Sequence, residues 1–320
     1  MTSLHQSPER AALAQTSPAQ PPAPRDVPAS PEASGRGALG VLAEIFLDFW
    51  RYRELLVQLA RRDIRIRYKQ AVMGFAWAIL MPMVVVGAGV LVRYAMATIS
   101  HMPLNLSSIA GLAVKSLPWS FFVGSLGFSV ASLTGNSNLV AKIYFPREVL
   151  PLSVTLAQGF DTLIGTLMVT VLVVVLGVTP SWQLLWVPVL VVLLFCVTMA
   201  VGLFVSCANL FFRDVKYIVQ VLVTFGIFFT PVFFEPTMFG PIGAPLMMLN
   251  PLAPLVEGFR LAIIDHHNLL APLVTTTPAG ASVLAWSPWY FAYAVLWAVG
   301  GLAASLLLFH RLEFVFAEYL

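Results

Sequence analysis

The apolar positions of this chain form long runs that are separated by short polar stretches. A helix needs about 20 mostly apolar residues to cross a hydrocarbon core of about 30 Å. The runs that meet this length predict spans at 72–92, 118–140, 150–177, 183–210, 217–234 and 289–309. The turn residues Gly177–Ser181 divide an uncharged run of 51 residues into the third and fourth spans. The alternation of barrel strands is absent. The pattern predicts an all-α integral membrane protein with six transmembrane helices.

Two different segments precede the first span. Residues 1–36 hold seven prolines among small and polar residues, which predicts a disordered tail. In 39–69, apolar residues recur at helical spacing and charges occupy the other faces. This pattern predicts an amphipathic helix lying in the membrane interface, and an ordinary solvated helix is the alternative.

The loop 235–288 between the last two spans is long and largely apolar. Its runs at 241–249 and 251–264 are too short to cross a membrane. Asn250 and Pro251 form a good helix start. We therefore expect two short helices that return into the outer leaflet and gate a pathway, or a capping subdomain on the outer surface.

Composition agrees with a membrane protein and orients it. The chain is 59% hydrophobic and 10% charged, with a mean hydropathy of +0.86. With six spans, twelve Lys and Arg residues fall on the side of the termini, and Arg93, Lys115 and Arg260 fall on the opposite side. Because cytoplasmic loops carry the excess of positive charge, both termini and the stretch 135–153 are predicted to be cytoplasmic.

That stretch is unusual because it places charges between two apolar spans. Lys142, Arg147 and Glu148 lie there, framed by Pro146 and Pro151. We call residues 139–151 the elbow. A charged elbow between spans must lie at a membrane surface, and we hypothesise that a separate protein grips it there.

The chemistry of enzymes and metal sites is not visible in the sequence. No lysine follows a glycine, so the chain has no P-loop. Asp265, His266 and His267 form the one cluster that resembles ligands, but adjacent histidines on a helix diverge and no metal site is expected. Cys196 and Cys207 would lie about 16 Å apart on a helix, too far for a disulfide, and are interpreted as packing residues.

Asp161 is the one acidic residue inside a predicted span. An intramembrane carboxylate is a functional candidate by default. Gln158, Thr162 and Thr166 are near enough in sequence to form hydrogen bonds with it. Three interpretations stay open: a structural polar contact, a place on a transport path and a proton relay.

Five motifs occur in order between about residues 50 and 310. They are Arg62–Lys69 leading to Gly74, Trp77 and Pro82; Leu117–Phe122; Asn138–Lys142 with Tyr144–Glu148 and Leu150–Ser153; Phe212–Asp214 with Thr230–Pro231; and Leu249–Leu252 with Phe259–Arg260. Together they resemble the membrane subunit of ABC-2 type exporters of polysaccharides, the group that moves O-antigen, teichoic acid and capsule glycans. Gln70–Met73 departs from the usual lead into Gly74.

The resemblance implies a homodimer that works with two copies of a P-loop ATPase in the cell inner (cytoplasmic) membrane. ATP and Mg would be bound by that partner, so this chain would carry no cofactor. Its other partners would be membrane lipid and a polyprenyl-linked glycan, with no nucleic acid. The helix before span one would be the interface helix, and the elbow would be the coupling helix.

The implied site residues fall into five groups. Coupling to the ATPase is expected of Leu139, Lys142, Tyr144, Phe145, Pro146, Arg147 and Glu148. The second cytoplasmic loop contributes Arg213 and Asp214. Lipid headgroups, including a lipid pyrophosphate, would meet Arg61, Arg62, Arg65, Arg67 and Lys69, and simple positive-inside anchoring is the alternative for this group. The substrate path would include Trp77, Phe121 and Phe122, and Asp161 is added because of its place inside a span, since it matches no motif position of the family. The outer gate would include Asn250, Pro251 and Arg260.

The function expected from the residues and the resemblance is that of a permease subunit, not an enzyme, in an ATP-driven exporter of lipid-linked polysaccharide. An exporter of drugs or lipids is the alternative within transport. A membrane enzyme acting on polyprenyl-linked sugars is a further alternative, with Glu257, Asp265, His266 and His267 as its candidate groups. A purely structural scaffold is the last.

Overall fold

The computed structural model describes residues 37–69, 76–100, 105–142, 145–276 and 282–316. The predicted tail 1–36, the lead Gln70–Gly74 and Tyr144 lie outside the described residues. The chain divides into two compact units, Met1–Gly40 and Val41–Leu320. The described part of the first unit is 37–40, and the architecture below is that of the second.

Two amphipathic helices precede the first span, where the sequence predicted a single helix over 39–69. They are α1 (Ala38–Arg51) and α2 (Arg53–Tyr68). The break is local: the Tyr52 amide still donates to the Asp48 carbonyl at 2.8 Å. Leu59 is buried in the protein, whereas Phe46, Leu47 and Trp50 are exposed. Such an exposed apolar side suits a helix that lies on a membrane.

Five stretches of the described residues are long and apolar enough to cross a membrane. They are α3 (Ala76–Ser100), α4 (Leu106–Ser129), α6 (Val149–Val175), a 3₁₀ turn (Trp182–Leu185) continued by α7 (Trp186–Phe211), and α11 (Pro288–Leu312). The prediction of an all-α integral membrane protein is confirmed.

A sixth apolar helix, α8 (Val215–Phe229), has 15 residues. At about 1.5 Å per residue it covers about 22 Å. The sequence predicted a longer fifth span, 217–234. The helix ends early because Thr230 precedes Pro231 and has extended backbone, with φ −115° and ψ 141°.

The second span differs most from its predicted bounds. The sequence predicted 118–140, whereas α4 begins at Leu106 and ends at Ser129, because Pro118 lies inside the helix and does not begin it. Lys115, which the charge count placed in an outer loop, lies within α4 and is fully buried. Residues that follow α4 form turns and the short helix α5 (Ser137–Lys142).

The helices α4 and α7 form the centre of the bundle. α6 and α3 pack against α4, α11 packs along α7, and α2 packs along α6. One apolar core surrounds α4 and α7, and a second core includes Leu133, Phe145, Leu203 and Phe309. We call the end of the bundle that holds this second core the elbow end.

The other end, which we call the hairpin end, holds the two short helices that the sequence predicted. They are α9 (Gly240–Met248) and α10 (Ala253–Ile263). α10 packs against α4 and α7, and its Leu255, Val256 and Leu261 are fully buried. Against α9 packs β2 (Ser282–Trp286), which forms an antiparallel hairpin with β1 (Leu273–Thr276) that the sequence pattern does not predict.

Candidate functional site

Four side chains form a polar cluster toward the elbow end of the bundle. Arg67 Nη1 donates to the Asp161 carboxylate at 2.6 Å and to Gln158 Oε1 at 2.9 Å. The Tyr68 hydroxyl donates to the other Asp161 oxygen at 2.5 Å. We call Arg67, Tyr68, Gln158 and Asp161 the polar cluster. It joins two elements that are far apart in sequence.

Local structure explains why these side chains meet. Arg67 and Tyr68 end α2, so they reach beyond its last turn toward α6. Gln158 and Asp161 are three residues apart on α6 and therefore share one face. Burial and the hydrogen bond to Asp161 raise the pKa of the Tyr68 phenol above its usual value, so the hydroxyl stays protonated and donates at neutral pH.

Gly124 of α4 makes the space that the cluster needs. A Cβ at this position would lie 2.6 to 2.8 Å from the amide group of Gln158. Any larger residue would therefore move Gln158 away from its hydrogen bond with Arg67.

The polar cluster lines a cavity of about 550 Å³. Trp77, Trp119 and Phe128 supply aromatic wall to the same cavity. The Arg67 guanidinium lies 3.7 Å from the centroid of the Phe128 ring. Arg67 Nη2 has no hydrogen-bond partner among the residues that the structure describes. The cavity thus combines flat apolar faces with the guanidinium of Arg67, whose Nη2 is itself buried.

A second cavity, of about 730 Å³, adjoins the first and is almost entirely apolar. Leu117 and Thr162 line both cavities. Four of the five threonines in its wall, Thr155, Thr162, Thr166 and Thr170, direct their hydroxyls to carbonyls of their own helix, as Thr166 does to Thr162 at 2.8 Å. This cavity therefore presents hydrocarbon to anything that enters it.

The residues that the sequence predicts on the substrate path do not all line the same cavity. Trp77 and Asp161 line the polar cavity, and Phe121 lines the apolar one. Phe122 packs beside Trp119, with ring centroids 6.2 Å apart. The sequence suggested hydrogen bonds between Asp161 and its neighbours on the same helix. In the structure, Asp161 instead accepts hydrogen bonds from Arg67 and Tyr68 of α2, and Gln158 accepts one from the same arginine.

The elbow lies against the second core, and its Arg147 and Glu148 side chains face inward. Phe145 and Glu148 are buried, and Leu139 and Pro146 are half-buried. Arg147 Nη1 donates to the backbone carbonyl of Glu313 at 2.5 Å. Lys142 ends α5, but its side chain is outside the described part of the chain.

Three ionisable side chains meet behind the elbow. Glu148 Oε1 lies 3.5 Å from His310 Nδ1 at the end of α11. Glu313 follows in a 3₁₀ turn, Glu313–Val315. Burial and the neighbouring Glu148 carboxylate raise the pKa of Glu313 to about 7. We call Glu148, His310 and Glu313 the elbow cluster.

The predicted basic group before span one divides into exposed and paired members. Arg61, Arg65 and Lys69 are exposed. Arg62 instead bonds to Asp63 and to Asn136 Oδ1, both at 2.9 Å, so it ties α2 to the turn before the elbow. In the second loop, Arg213 and Asp214 are exposed at the same end.

The hairpin end contains a charge network that links α4 to α10, with Lys115 and Glu257 buried and Asp265 exposed. Arg260 pairs with Glu257 at 2.6 Å and with Asp265 at 2.8 Å. Lys115 Nζ lies 3.7 Å from Glu257 and donates to the Phe234 carbonyl at 3.2 Å. We call Lys115, Glu257, Arg260 and Asp265 the charge network.

A neighbouring pair, Arg93 and Glu235, is joined at 2.8 Å. Burial alone would raise the pKa of Glu235, but Arg260 and Arg93 outweigh it and hold that pKa below its usual value. Sequence reasoning placed Arg260 in the outer gate and named Glu257 and Asp265 only as candidate groups of the enzyme alternative, without pairing them with Arg260. Lys115 interrupts an otherwise apolar run, and this was the available signal for the network. A cation inside a membrane span requires an anion nearby.

The remaining predicted gate residues form a turn before α10. Asn250 Oδ1 accepts from the Leu252 amide at 3.1 Å, and Asn250 Nδ2 donates to Thr230 Oγ1 at 2.9 Å. Asn250 thus fastens the start of α10 to the end of α8. Pro251 lies in this turn, and the helix begins at Ala253.

These features define a class: a multi-pass helical membrane protein with interfacial helices at one end, a short elbow between spans, and cavities between its helices. The profile of the ABC-2 type transporter family matches residues 54–264, which is more than half of the chain. This protein belongs to the ABC-2 type transporter family. The matched region includes the polar cluster, the elbow and α10.

Three curated relatives have the same name, O-antigen export system permease protein RfbA. The one from Myxococcus xanthus is 28% identical over 243 residues, covering 75% of this chain and 92% of that protein. One from Klebsiella pneumoniae is 26% identical over 268 residues, covering 83% and 95%. Another from Klebsiella pneumoniae is 27% identical over 208 residues, covering 65% and 79%.

Proposed function

We propose that this chain is the permease subunit of an ATP-driven exporter that moves a lipid-linked polysaccharide or a related cell-surface glycan. The names of the relatives support a glycan as cargo. The observation that carries the proposal is the pair of adjoining cavities, one polar and aromatic and one apolar, because a lipid-linked sugar has both kinds of surface.

The polar cavity suits the sugar and its phosphate linkage. The rings of Trp77, Trp119 and Phe128 offer apolar faces on which sugar rings stack. Arg67 lines the same cavity, and arginine binds phosphate well. The apolar cavity beyond Leu117 and Thr162 suits the hydrocarbon of the lipid carrier.

The elbow end is proposed to face the cytoplasm in the cell inner (cytoplasmic) membrane. The positive-inside rule supports this orientation, which places both termini on the cytoplasmic side. The exposed Arg61, Arg65 and Lys69 would then lie near anionic headgroups, where each basic residue contributes about 1 kcal/mol. Lipid-linked cargo would enter from this end.

Energy is proposed to come from two copies of a separate P-loop ATPase acting on a homodimer of this chain. ATP and Mg would be bound by that partner. The elbow, including Tyr144 and Arg147, and the exposed loop residues Arg213 and Asp214 would transmit its motion. The packing of Phe145 into the second core supports this role, because force applied to the elbow reaches α2, α7 and α11 through that core.

The test is export in cells that lack this chain. Returning the wild-type chain together with the ATPase should restore surface glycan, and lipid-linked glycan should accumulate inside without it. A Trp77→Ala variant should lower surface glycan several-fold because it removes one stacking face. Trp182→Ala is the matched control, since Trp182 is 87% exposed and lies outside the polar cavity.

Two outcomes would contradict the proposal. Unchanged surface glycan in the deletion strain would exclude glycan export, and a loss of lipid or drug efflux instead would identify the alternative cargo. Equal losses in Trp77→Ala and Trp182→Ala, at equal protein levels, would show that the polar cavity is not the sugar path.

A further inference from the structure

The elbow cluster lies where three elements meet. Glu148 immediately precedes α6, His310 is in the last turn of α11, and Glu313 begins the 3₁₀ turn that follows. One ligand atom from each residue lies within 4.8 Å of the others. The three donors therefore converge from segments more than 150 residues apart in the chain.

Glu148 is the unusual member of this cluster. Its side chain is 2% exposed, and neither carboxylate oxygen has a hydrogen-bond partner among the described residues. The nearby Arg147 directs its hydrogen bond to the Glu313 backbone carbonyl and not to a carboxylate. A buried carboxylate in this state is costly unless a cation compensates it.

His310 faces Glu148, and its imidazole nitrogen decides which kind of metal ion suits the cluster. The separation of Glu148 Oε1 and His310 Nδ1 is 3.5 Å. Two donors bound to one tetrahedral zinc at about 2.0–2.1 Å would be about 3.3 Å apart. Magnesium and calcium prefer oxygen ligands alone, whereas imidazole with carboxylate suits zinc and its neighbours.

We propose that Glu148, His310 and Glu313 form a binding site for a divalent transition-metal ion of the zinc type. Glu148 and His310 supply two ligands at a spacing that one ion can span, and Glu313 supplies the third. His310 and Glu313 are half-buried, so water reaches the site and completes the coordination. The bound ion compensates the buried Glu148 carboxylate.

The position of the site gives the ion a mechanical consequence. The ion would join Glu148, which immediately precedes α6, to the last turn of α11. It would therefore brace the elbow against the final span. The proposal does not depend on the cargo of the transporter, and it is tested on the purified chain without a partner.

The experiment uses the full-length chain in detergent after removal of any histidine tag. Cobalt(II) serves as a spectroscopic probe, and zinc binding is measured by competition with a chromogenic chelator. The wild-type chain should show visible cobalt bands and bind one zinc per chain. His310→Gln and Glu313→Gln should each weaken zinc binding at least about tenfold, since even outer-shell partners contribute that much.

Matched controls separate this site from other histidines and acids. Glu54→Gln changes an exposed carboxylate, and His266→Asn changes an exposed imidazole in the outer loop. Asn suits the positive φ of 52° at that position. Both controls should bind zinc as the wild type does.

A second readout covers variants that fold poorly. Zinc should raise the unfolding temperature of the wild type and of both controls, and should not raise that of His310→Gln. Zinc binding that survives in His310→Gln, binding lost in His266→Asn, or no cobalt band in the wild type would each overturn the proposal.

Discussion

The polar cluster and the charge network are two sets of ionic groups inside the same apolar bundle, and they differ in their surroundings. In the polar cluster, the side chains of Arg67 and Asp161 keep 14% and 15% of their surface exposed, on a cavity. In the charge network, Lys115 and Glu257 keep 0% and 2%. The polar cluster lines a cavity, whereas Lys115 and Glu257 at the centre of the charge network are closed, and Asp265 at its edge keeps 33% of its surface exposed.

The difference teaches how to interpret a charge inside a membrane span. Within the charge network, two cations face two anions, so the formal charge of Lys115, Glu257, Arg260 and Asp265 sums to zero. Such groups compensate one another and hold α10 against α4. Each set leaves one buried polar atom without a hydrogen-bond partner among the described residues, Glu257 Oε2 in the charge network and Arg67 Nη2 in the polar cluster, but it is the polar cluster that lines a cavity. Access, more than charge itself, separates a binding role from a structural one.

The largest effect is expected when the charge network is broken at Glu257. A Glu257→Gln variant leaves Lys115 buried without its carboxylate and removes the 2.6 Å partner of Arg260. Removing one partner of a buried ion pair typically costs about 3–5 kcal/mol. The unfolding temperature of the purified chain in detergent should fall markedly, and the amount of protein in the membrane should fall with it.

A second substitution tests the reason for that loss. Adding Lys115→Met to Glu257→Gln removes the uncompensated cation, so the double variant should recover much of the lost stability. If Glu257→Gln unfolds at the wild-type temperature, the charge network does not brace the bundle, and the comparison with the polar cluster fails.

The sequence was sufficient to find some of these residues and not their partners. Asp161 could be singled out because it is the one acid in a predicted span, and Trp77 came from a family motif. The structure places both on one cavity. Arg67 is 94 residues from Asp161, and local periodicity carries no information on such a pairing.

The helix boundaries show the same limit. Runs of apolar residues located the spans, but Pro118 and Lys115 made the second span look shorter at its beginning. Lys115 is tolerated inside α4 because α10 supplies Glu257 to it, and Pro118 lies inside the same helix. Likewise, the charge pattern located the elbow without indicating that the Glu148 side chain is buried. Tertiary packing decides these features.

A smaller change in stability and a larger change in transport are expected at Asp161. An Asp161→Asn variant keeps the shape and one acceptor but removes the charge opposite Arg67. Hydrogen bonds to charged groups contribute about 1.5–3 kcal/mol, and the retained acceptor favours the lower end. Surface glycan in the export assay should fall several-fold, since Arg67 and Tyr68 lose the group that orients them.

Thr224→Val is the control for this variant. Thr224 is an exposed residue of α8, and its hydroxyl bonds within its own helix to the Gln220 carbonyl at 2.7 Å. It should leave both stability and export near wild type. Normal export by Asp161→Asn would remove the polar cluster from the substrate path and leave it, like the charge network, with a structural role.

The smallest effect on stability is expected from a matched pair of glycines in α4. Gly124→Ala would place a Cβ 2.6 to 2.8 Å from the Gln158 amide, and Gly111→Ala would place one 3.2 Å from Arg260 Cδ. Each contact opposes the gain of about 0.5–1 kcal/mol that alanine brings to a helix. The unfolding temperatures should therefore stay close to that of the wild type.

Export should separate the two glycine variants. In Gly124→Ala, the flexible end of Gln158 swings away from Arg67 and narrows the polar cavity, so surface glycan should fall. In Gly111→Ala, Arg260 stays fixed between Glu257 and Asp265, and export should persist. The opposite result, with export lost only in Gly111→Ala, would place the transport-sensitive charges at the hairpin end and reverse the roles assigned to the two regions.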